Sequence, residues 1–219
     1  VYEGMSAPDI RALVGGLNSV YVGVIATEAF VNKRGTSDLA EIFASDEPVR
    51  VLMKPVGSSA VPVAHMIFEG LGTSADEIKA NGGDIIQVGT GQIADQMRNG
   101  NADIYIDTMI KGHPTITEVA LTSDVEFLDI PEAAVPVLKA NGLGMGSYGP
   151  RWFEGHDDKT VGANLGTVLI ANASLDDEAA YQITKAMYET FPAYQGKAPG
   201  IDGWALEQQS LEWVVPYHE

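Results

Sequence analysis

The chain has no cysteine, which excludes disulfides, thiolate nucleophiles and zinc-thiolate sites but chooses no compartment. Cations are scarce as well: 13 Lys and Arg stand against 30 Asp and Glu, a formal net charge of -17. That balance repels nucleic-acid backbones and anionic membrane surfaces, so neither is expected as a partner. The acidic surface reads as solvation rather than as a site. No uninterrupted run of about 18 apolar residues occurs, so no membrane insertion is expected. Length and apolar content are present. At roughly 100–200 residues per domain, 219 residues, 45% of them hydrophobic, hold one large domain or two small ones around a real core.

Val1-Tyr2-Glu3-Gly4-Met5 has neither the basic region nor the apolar core of a signal peptide, so the chain is expected to be processed or a piece of something longer. Near the other end, Val214-Val215-Pro216-Tyr217 predicts an interrupted element rather than a solvated tail.

Between these ends the pattern is rhythmic. Val20 to Thr27 is β-branched and apolar, as a buried strand requires. Asn32 to Asp38 reads as a loop, with Ser37 or Asp38 capping a helical turn from Leu39 to Phe43. Four strand–turn–helix units follow. Their strands are Val49–Met53, Asp84–Val88, Ala102–Ile106 and Val125–Leu128, and their helices end near Leu71, Gly100, Leu121 and Asn141. Strands alternating with single helices predict an α/β layer with a largely parallel sheet. From Gly142 to Lys159, Gly142, Gly144, Gly146, Gly149, Pro150 and Gly155 predict an irregular hinge segment. Beyond it, Val161 to Ala171 reads as one long strand, Ser174 to about Phe191 as a capped helix, and Gly203 or Trp204 to Trp213 as a final helix.

Ligands of parallel sheets bind outside the carboxyl ends of the strands, where the following helices offer free N–H groups. Four such ends carry polar or small residues: Gly57-Ser58-Ser59, Gly89-Thr90-Gly91, Asp107-Thr108 and Asp129-Ile130. At the first, Pro62 fits an opening helical turn, and two hydroxyls sit where donors are free and the helix dipole favours an anion. The plain alternative is that Ser58 or Ser59 is an ordinary N-cap. Arg151, beside Tyr148 and Trp152, could hold a carboxylate through two hydrogen bonds, or the three could brace two lobes. Lys111 and His113 could approach an anion or simply face solvent. His65, within Val63-Ala64-His65-Met66, reads as a packed or rim histidine rather than a base.

Catalytic patterns are weak. Gly144-Met145-Gly146-Ser147-Tyr148-Gly149 misses a nucleophile elbow because Met145 stands at the first glycine position, and Pro150 follows where a dinucleotide-binding helix should begin. No P-loop occurs. Glu154, His156, Asp157 and Asp158 lack any established metal-ligand spacing and read as a polar loop. No catalytic residue, metal or cofactor is expected.

Several stretches, in order, resemble the TAXI family of TRAP-transporter solute receptors. They are Val49-Arg50-Val51 with Pro55-Val56-Gly57-Ser58-Ser59, Ile67-Phe68-Glu69-Gly70-Leu71-Gly72, and Gln92 to Asp103 with its helix, glycine and Ala102-Asp103 strand start. Gly112-His113-Pro114, Leu165 to Ala171, Asp177 to Met187 and Pro216-Tyr217-His218 continue the series. The resemblance implies a type II periplasmic-binding-protein-like fold: two α/β lobes of mixed, mostly parallel sheets with helices on both faces and a cleft between them. It implies no enzyme activity. The implied function is to bind a small organic acid of the glutamate or 2-oxoglutarate class in the periplasm and to deliver it to TRAP permease subunits. It places Gly57, Ser58, Ser59, Thr90, Asp107 and Thr108 at the solute, and Tyr148 and Arg151 join them as candidates from the reading above. It further implies that residues 1–48 are a remnant of lobe one and the crossover, 49–148 are lobe two, and 149–219 are the hinge and the return to lobe one. Family members ordinarily carry on the order of a hundred further residues ahead of the segment resembling Val1 to Gly4, a signal peptide among them. The chain therefore reads as truncated at both ends. Two other classes remain open: the effector-sensing domain of a transcription regulator, and a two-lobed enzyme such as a deaminase or transferase using Asp107, Lys111 or His113.

Overall fold

The computed structural model describes residues 7–18, 20–194, 196–197 and 215–218. In chain order its elements are β1 Ile10–Gly15, β2 Tyr21–Thr27, α1 Glu28–Arg34, α2 Leu39–Ala44, β3 Arg50–Met53, α3 Ala60–Gly70, α4 Ala75–Ala80 and β4 Asp84–Gln87. They continue with α5 Ile93–Arg98, β5 Ile104–Met109, α6 Pro114–Thr122, β6 Val125–Leu128, α7 Val135–Ala140, β7 Gly144–Tyr148, β8 Thr160–Asn164, β9 Val168–Asn172 and α8 Asp177–Tyr194. Two compact units result: Val1–Val20 with Gly166–Glu219, and Tyr21–Leu165. The stretch expected as the second lobe, 49–148, falls inside the larger unit. That unit also takes in 21–48 and 149–165 because β2 and β8 are strands of its sheet.

In the smaller unit β1 and β9 pair antiparallel. Leu13 and Val14 pack with Ala180 and Phe191 of α8. Tyr217 forms a parallel bridge to Ala12, fixed by hydrogen bonds from Ala12 N–H to the Pro216 carbonyl and from His218 N–H to the Ala12 carbonyl. The final helix expected near Trp204 to Trp213 lies outside the described residues.

The larger unit is built on a sheet of order β4-β3-β5-β2-β8-β7, with β6 also paired to β2. It is mixed. β3 runs parallel to β4 and to β5, whereas β2 runs antiparallel to β5, β6 and β8, and β7 antiparallel to β8. Antiparallel pairing exceeds what a βα rhythm predicts because β2, which enters from the smaller unit, runs against the strands on both of its sides. Side chains alternate between the two faces. Val22, Val24 and Ala26 meet Phe30, Leu39, Val63, Ile67 and Leu138 from the helices on one side, and Ile25 meets Ile93, Met97, Ile116 and Val119 of α5 and α6 on the other.

Local signals explain most boundaries. Asp38 caps α2, its carboxylate accepting the Ala40 N–H at 2.7 Å. Three expectations change. Asn32 to Arg34, read as loop, are the last turn of α1, which Thr27 caps and the left-handed Gly35 closes. The glycine-rich stretch read as irregular contains β7, because Gly146 leaves room for the Tyr21 ring that a Cβ would meet at 2.7 Å. The single strand read from Val161 to Ala171 is two, β8 and β9, separated at the left-handed Gly166 and belonging to different units.

Candidate functional site

Because β3, β4 and β5 run parallel, their carboxyl ends open on one edge of the sheet. The β3–α3 loop carries Lys54 to Ser59, and Gly57 takes a φ of 103° that favours glycine. Ser59 is the N-cap of α3 yet makes no capping bond, so the ordinary N-cap alternative is not realised. Ser58 is held by its backbone, its N–H donating to the Pro55 carbonyl and its carbonyl accepting from Val61 N–H. Among the described residues neither serine hydroxyl has a hydrogen-bond partner. Thr90 is exposed at the start of a short 3-10 turn, Thr90–Gln92, after β4. The Gln87 amide donates to the Lys54 carbonyl at 3.1 Å, tying the two loops together.

Asp107 is not at the open edge but beneath it. It is fully buried and accepts hydrogen bonds from the Tyr105 hydroxyl and from Thr108 Oγ1, the latter at 3.3 Å. Its Oδ2 also lies 2.8 Å from Lys54 Nζ. Burial, and then the neighbouring carboxylate, pushes the Tyr105 phenol far above its ordinary range, so it stays a donor. His113 sits at the N-cap of α6, and its Nδ1 is buried without a partner. Burial lowers its pKa and Lys54 adds to that effect, against the opposing pull of Asp107, so the ring is neutral near pH 7.

The fourth strand end does not join this edge. β6 pairs only with Val24 to Thr27 and stops midway along β2, where β8 takes over at Tyr21 and Val22. The Asp129 carboxylate is used at that splice, accepting the Val161 N–H at 2.6 Å.

Tyr148 lies across the sheet face, its ring 5.7 Å from Tyr21 and 5.7 Å from Trp152, and its hydroxyl is buried without a partner. Burial raises that phenol's pKa, with Asp129 adding to the effect. Arg151 holds a left-handed φ of 60°, with its N–H bonded to the His156 carbonyl at 2.6 Å. Its side chain is exposed, and among the described residues its guanidinium makes no ion pair or hydrogen bond. His156 is turned inward, stacked 4.2 Å from Phe127, with Nε2 at 3.0 Å from Thr160 Oγ1. His65 is exposed at the rim of α3, edge-on to Phe68.

The structure thus brings Gly57, Ser58, Ser59 and Thr90 to one edge, while Asp107 and Thr108, read from the sequence as the turn after a strand, are residues of β5 itself, with Asp107 buried beneath that edge. Tyr148 lies on the sheet face that also carries Asp107, and Arg151 is on a separate turn. Lys54 and Tyr105 were missed from the sequence. For Lys54 the one available signal was its position directly after a β-strand. A concavity of about 640 Å³, lined by Thr27, Asn32, Arg98 and Ser123, lies at the opposite edge, beside the amino ends of β5 and β6. No group of His, Asp or Glu among the described residues is placed to hold a metal. No described helix is long and apolar enough to cross a membrane.

Fold and site together define a mixed α/β protein in two units with a polar strand-end cluster. The chain belongs to the NMT1-like family, whose sequence profile matches residues 12–219. No curated protein shows a significant match. Among solved structures, one from Bordetella bronchiseptica RB50 is similar with 16% identity and a TM-score of 0.48, over 95% of this chain and 62% of that one. An ABC transporter periplasmic binding protein from Brucella ovis with glutathione bound gives 10% identity and a TM-score of 0.41, over 89% of this chain and 46% of that one. The periplasmic nitrate-binding protein of Synechocystis PCC 6803 gives 15% and 0.43, over 89% of this chain and 43% of that one. The chain spans less than two thirds of the length of each.

Proposed function

We propose that this chain is a solute-binding receptor of the TAXI type, working outside the cytoplasm and delivering a small organic acid of the glutamate or 2-oxoglutarate class to TRAP permease subunits. The observation that carries this reading is the meeting of three strand-end loops at one edge of the β4-β3-β5 sheet, with unpartnered hydroxyls where α3 begins. This 11-residue helix has a partial positive charge at its start, where Val61 N–H is already bonded to the Ser58 carbonyl and Pro62 has no N–H to offer. Ser58, Ser59 and the glycine at 57 let a carboxylate approach that backbone, and Thr90 and Thr108 flank it. The exposed Arg151 fork offers a second place for a carboxylate. Membership of the NMT1-like family across nearly the whole chain, and the ordered TAXI-like motifs, support the receptor reading. The receptor performs no chemistry of its own: Asp107, the acid nearest the loops, is closed off from solvent and already engaged.

The test is thermal and chemical unfolding in the presence of glutamate, 2-oxoglutarate and succinate. At about 100 times the dissociation constant a bound acid stabilises by about 2.7 kcal/mol. Absence of stabilisation by every C4–C6 mono- or dicarboxylate at millimolar concentration overturns the ligand class.

A further inference from the structure

The Lys54–Asp107 pair is lopsided. Asp107 is fully buried, and both its oxygens are engaged, Oδ2 by Tyr105 and Lys54 and Oδ1 by Thr108. Lys54 is not satisfied. An ammonium has three N–H donors, and among the described residues the only side-chain partner of this one is Asp107 at 2.8 Å. Its side chain keeps 16% of its surface, at the carboxyl end of β3 where the Gly57-Ser58-Ser59 loop departs.

Stability gives little reason to keep such a pair, since apolar residues of similar volume in place of a buried ion pair are often neutral or stabilising. A pair serving packing alone would also have both ends closed. Here the carboxylate is sealed below while the ammonium retains open donors at the edge of the sheet. The surroundings reinforce that direction. Tyr105 remains a neutral donor to Asp107, and His113, the other titratable group beside the pair, is neutral near pH 7. Among the described residues Lys54 is the one cation in contact with Asp107. Its net attraction for an anion is moderated by Asp107, which suits a receptor that must release what it carries.

Resting on the receptor reading above, we infer that Lys54 meets the carboxylate of the solute, and that Asp107, held by Tyr105, is a positioning residue that holds Lys54 aimed at the open edge. Asp107 itself touches no solute. The specificity that follows is for a carboxylate over its amide, because the ammonium offers only donors and a positive charge.

The test is calorimetric titration of the full chain with glutamate, 2-oxoglutarate, succinate and glutamine. Lys54→Met alone would strand a buried carboxylate, so the variant used is Lys54→Met/Asp107→Asn, which removes both charges and is checked for native unfolding. Its affinity for the acid that binds wild type is expected to fall by about 10- to 100-fold, the range for one lost charge-assisted hydrogen bond. Lys54→Arg, which keeps the charge, is expected to retain most of the binding. Asp107→Asn, which leaves Lys54 without the carboxylate that aims it, is expected to weaken binding of that acid several-fold, and Asp107→Glu to restore part of it. A double variant that binds like wild type overturns the role of Lys54 and leaves the receptor reading standing. An Asp107→Asn variant that binds that acid as tightly as wild type overturns the positioning role. Wild type that binds none of the acids overturns both the receptor reading and this assignment.

Discussion

The Tyr148 hydroxyl occupies the space that a side chain at Gly23 would fill: a Cβ added there would overlap the phenol oxygen and lie 2.7 Å from Met109 Cγ. Tyr148 cannot easily yield, being 1% exposed and hemmed in by Tyr21, Trp152 and His156. Gly23→Ala is therefore expected to destabilise the larger unit by about 1–3 kcal/mol, the usual cost of overpacking. Tyr148→Phe removes a buried hydroxyl that has no partner, so that variant is expected to be at least as stable as wild type. Combining the two should recover part of the alanine cost. Urea midpoints of the four proteins measure this, and strictly additive effects would show that the hydroxyl is not what the alanine meets.

The Tyr105 hydroxyl is a second point of leverage, because it donates to a carboxylate with no access to water. Tyr105→Phe leaves Asp107 with Lys54 and Thr108 as its remaining partners. Loss of a hydrogen bond to a charged group predicts about 1.5–3 kcal/mol of destabilisation. Chemical unfolding at pH 7 reads it directly, and a change below about 0.5 kcal/mol, the size of an ordinary surface effect, would count against the geometry.

Where local chemistry decides structure, the sequence was readable. Ser58-Ser59 before α3 and Thr90 after β4 were located by strand-end logic and share one edge, whereas Asp107 and Thr108, read as the turn after a strand ending at Ile106, lie within β5. Where partners distant in sequence decide, it was not. Asp129 follows an apolar strand as the others do, yet β6 stops midway along β2, and only the pairing of Tyr21 and Val22 with β8 reveals that. Gly144 to Tyr148 forms a strand because the Tyr21 ring packs over Gly146, a fit invisible in a run of glycines. Nothing local marks Lys54, because its partner Asp107 lies on another strand. The division of Val161 to Ala171 between two units follows from which strands accept each half.

The helix α4 had no counterpart in the sequence reading, although Ser74-x-x-Glu77 is a capping-box pattern. In the structure the box is closed on its side chains: the Ser74 hydroxyl accepts the Glu77 N–H at 3.2 Å and donates to the Glu77 carboxylate at 2.9 Å. α4 is six residues long and buries only Ile78, so it has little packing to fall back on. Ser74→Ala is expected to cost about 1 kcal/mol, and Ser74→Asp to restore most of it. Amide exchange across Ala75–Ala80 should accelerate in the alanine variant ahead of the rest of the unit. Unchanged protection there would mean that the cap does not hold the helix.

Stability should also fall on the acid side of neutrality through His156. The ring is 2% exposed, stacked on Phe127, with Nδ1 buried and unpartnered. Burial is the main cause lowering its pKa from 6.5, and it outweighs the opposing pull of Asp157 and Asp158. A lowered pKa means that the unfolded state binds the proton more readily than the folded state. Between the folded-state value and about 6.5, stability therefore rises with pH. The contribution is complete above the unfolded value and is lost as pH falls through that window. His113, lowered mainly by burial, adds to the slope in the same direction. Unfolding free energies from pH 7.5 down to pH 5 are expected to decline, and His156→Gln to flatten the decline while lowering the plateau. A plateau that persists unchanged to pH 5 in wild type would mean that the buried imidazole is protonated without cost, against its packing on Phe127.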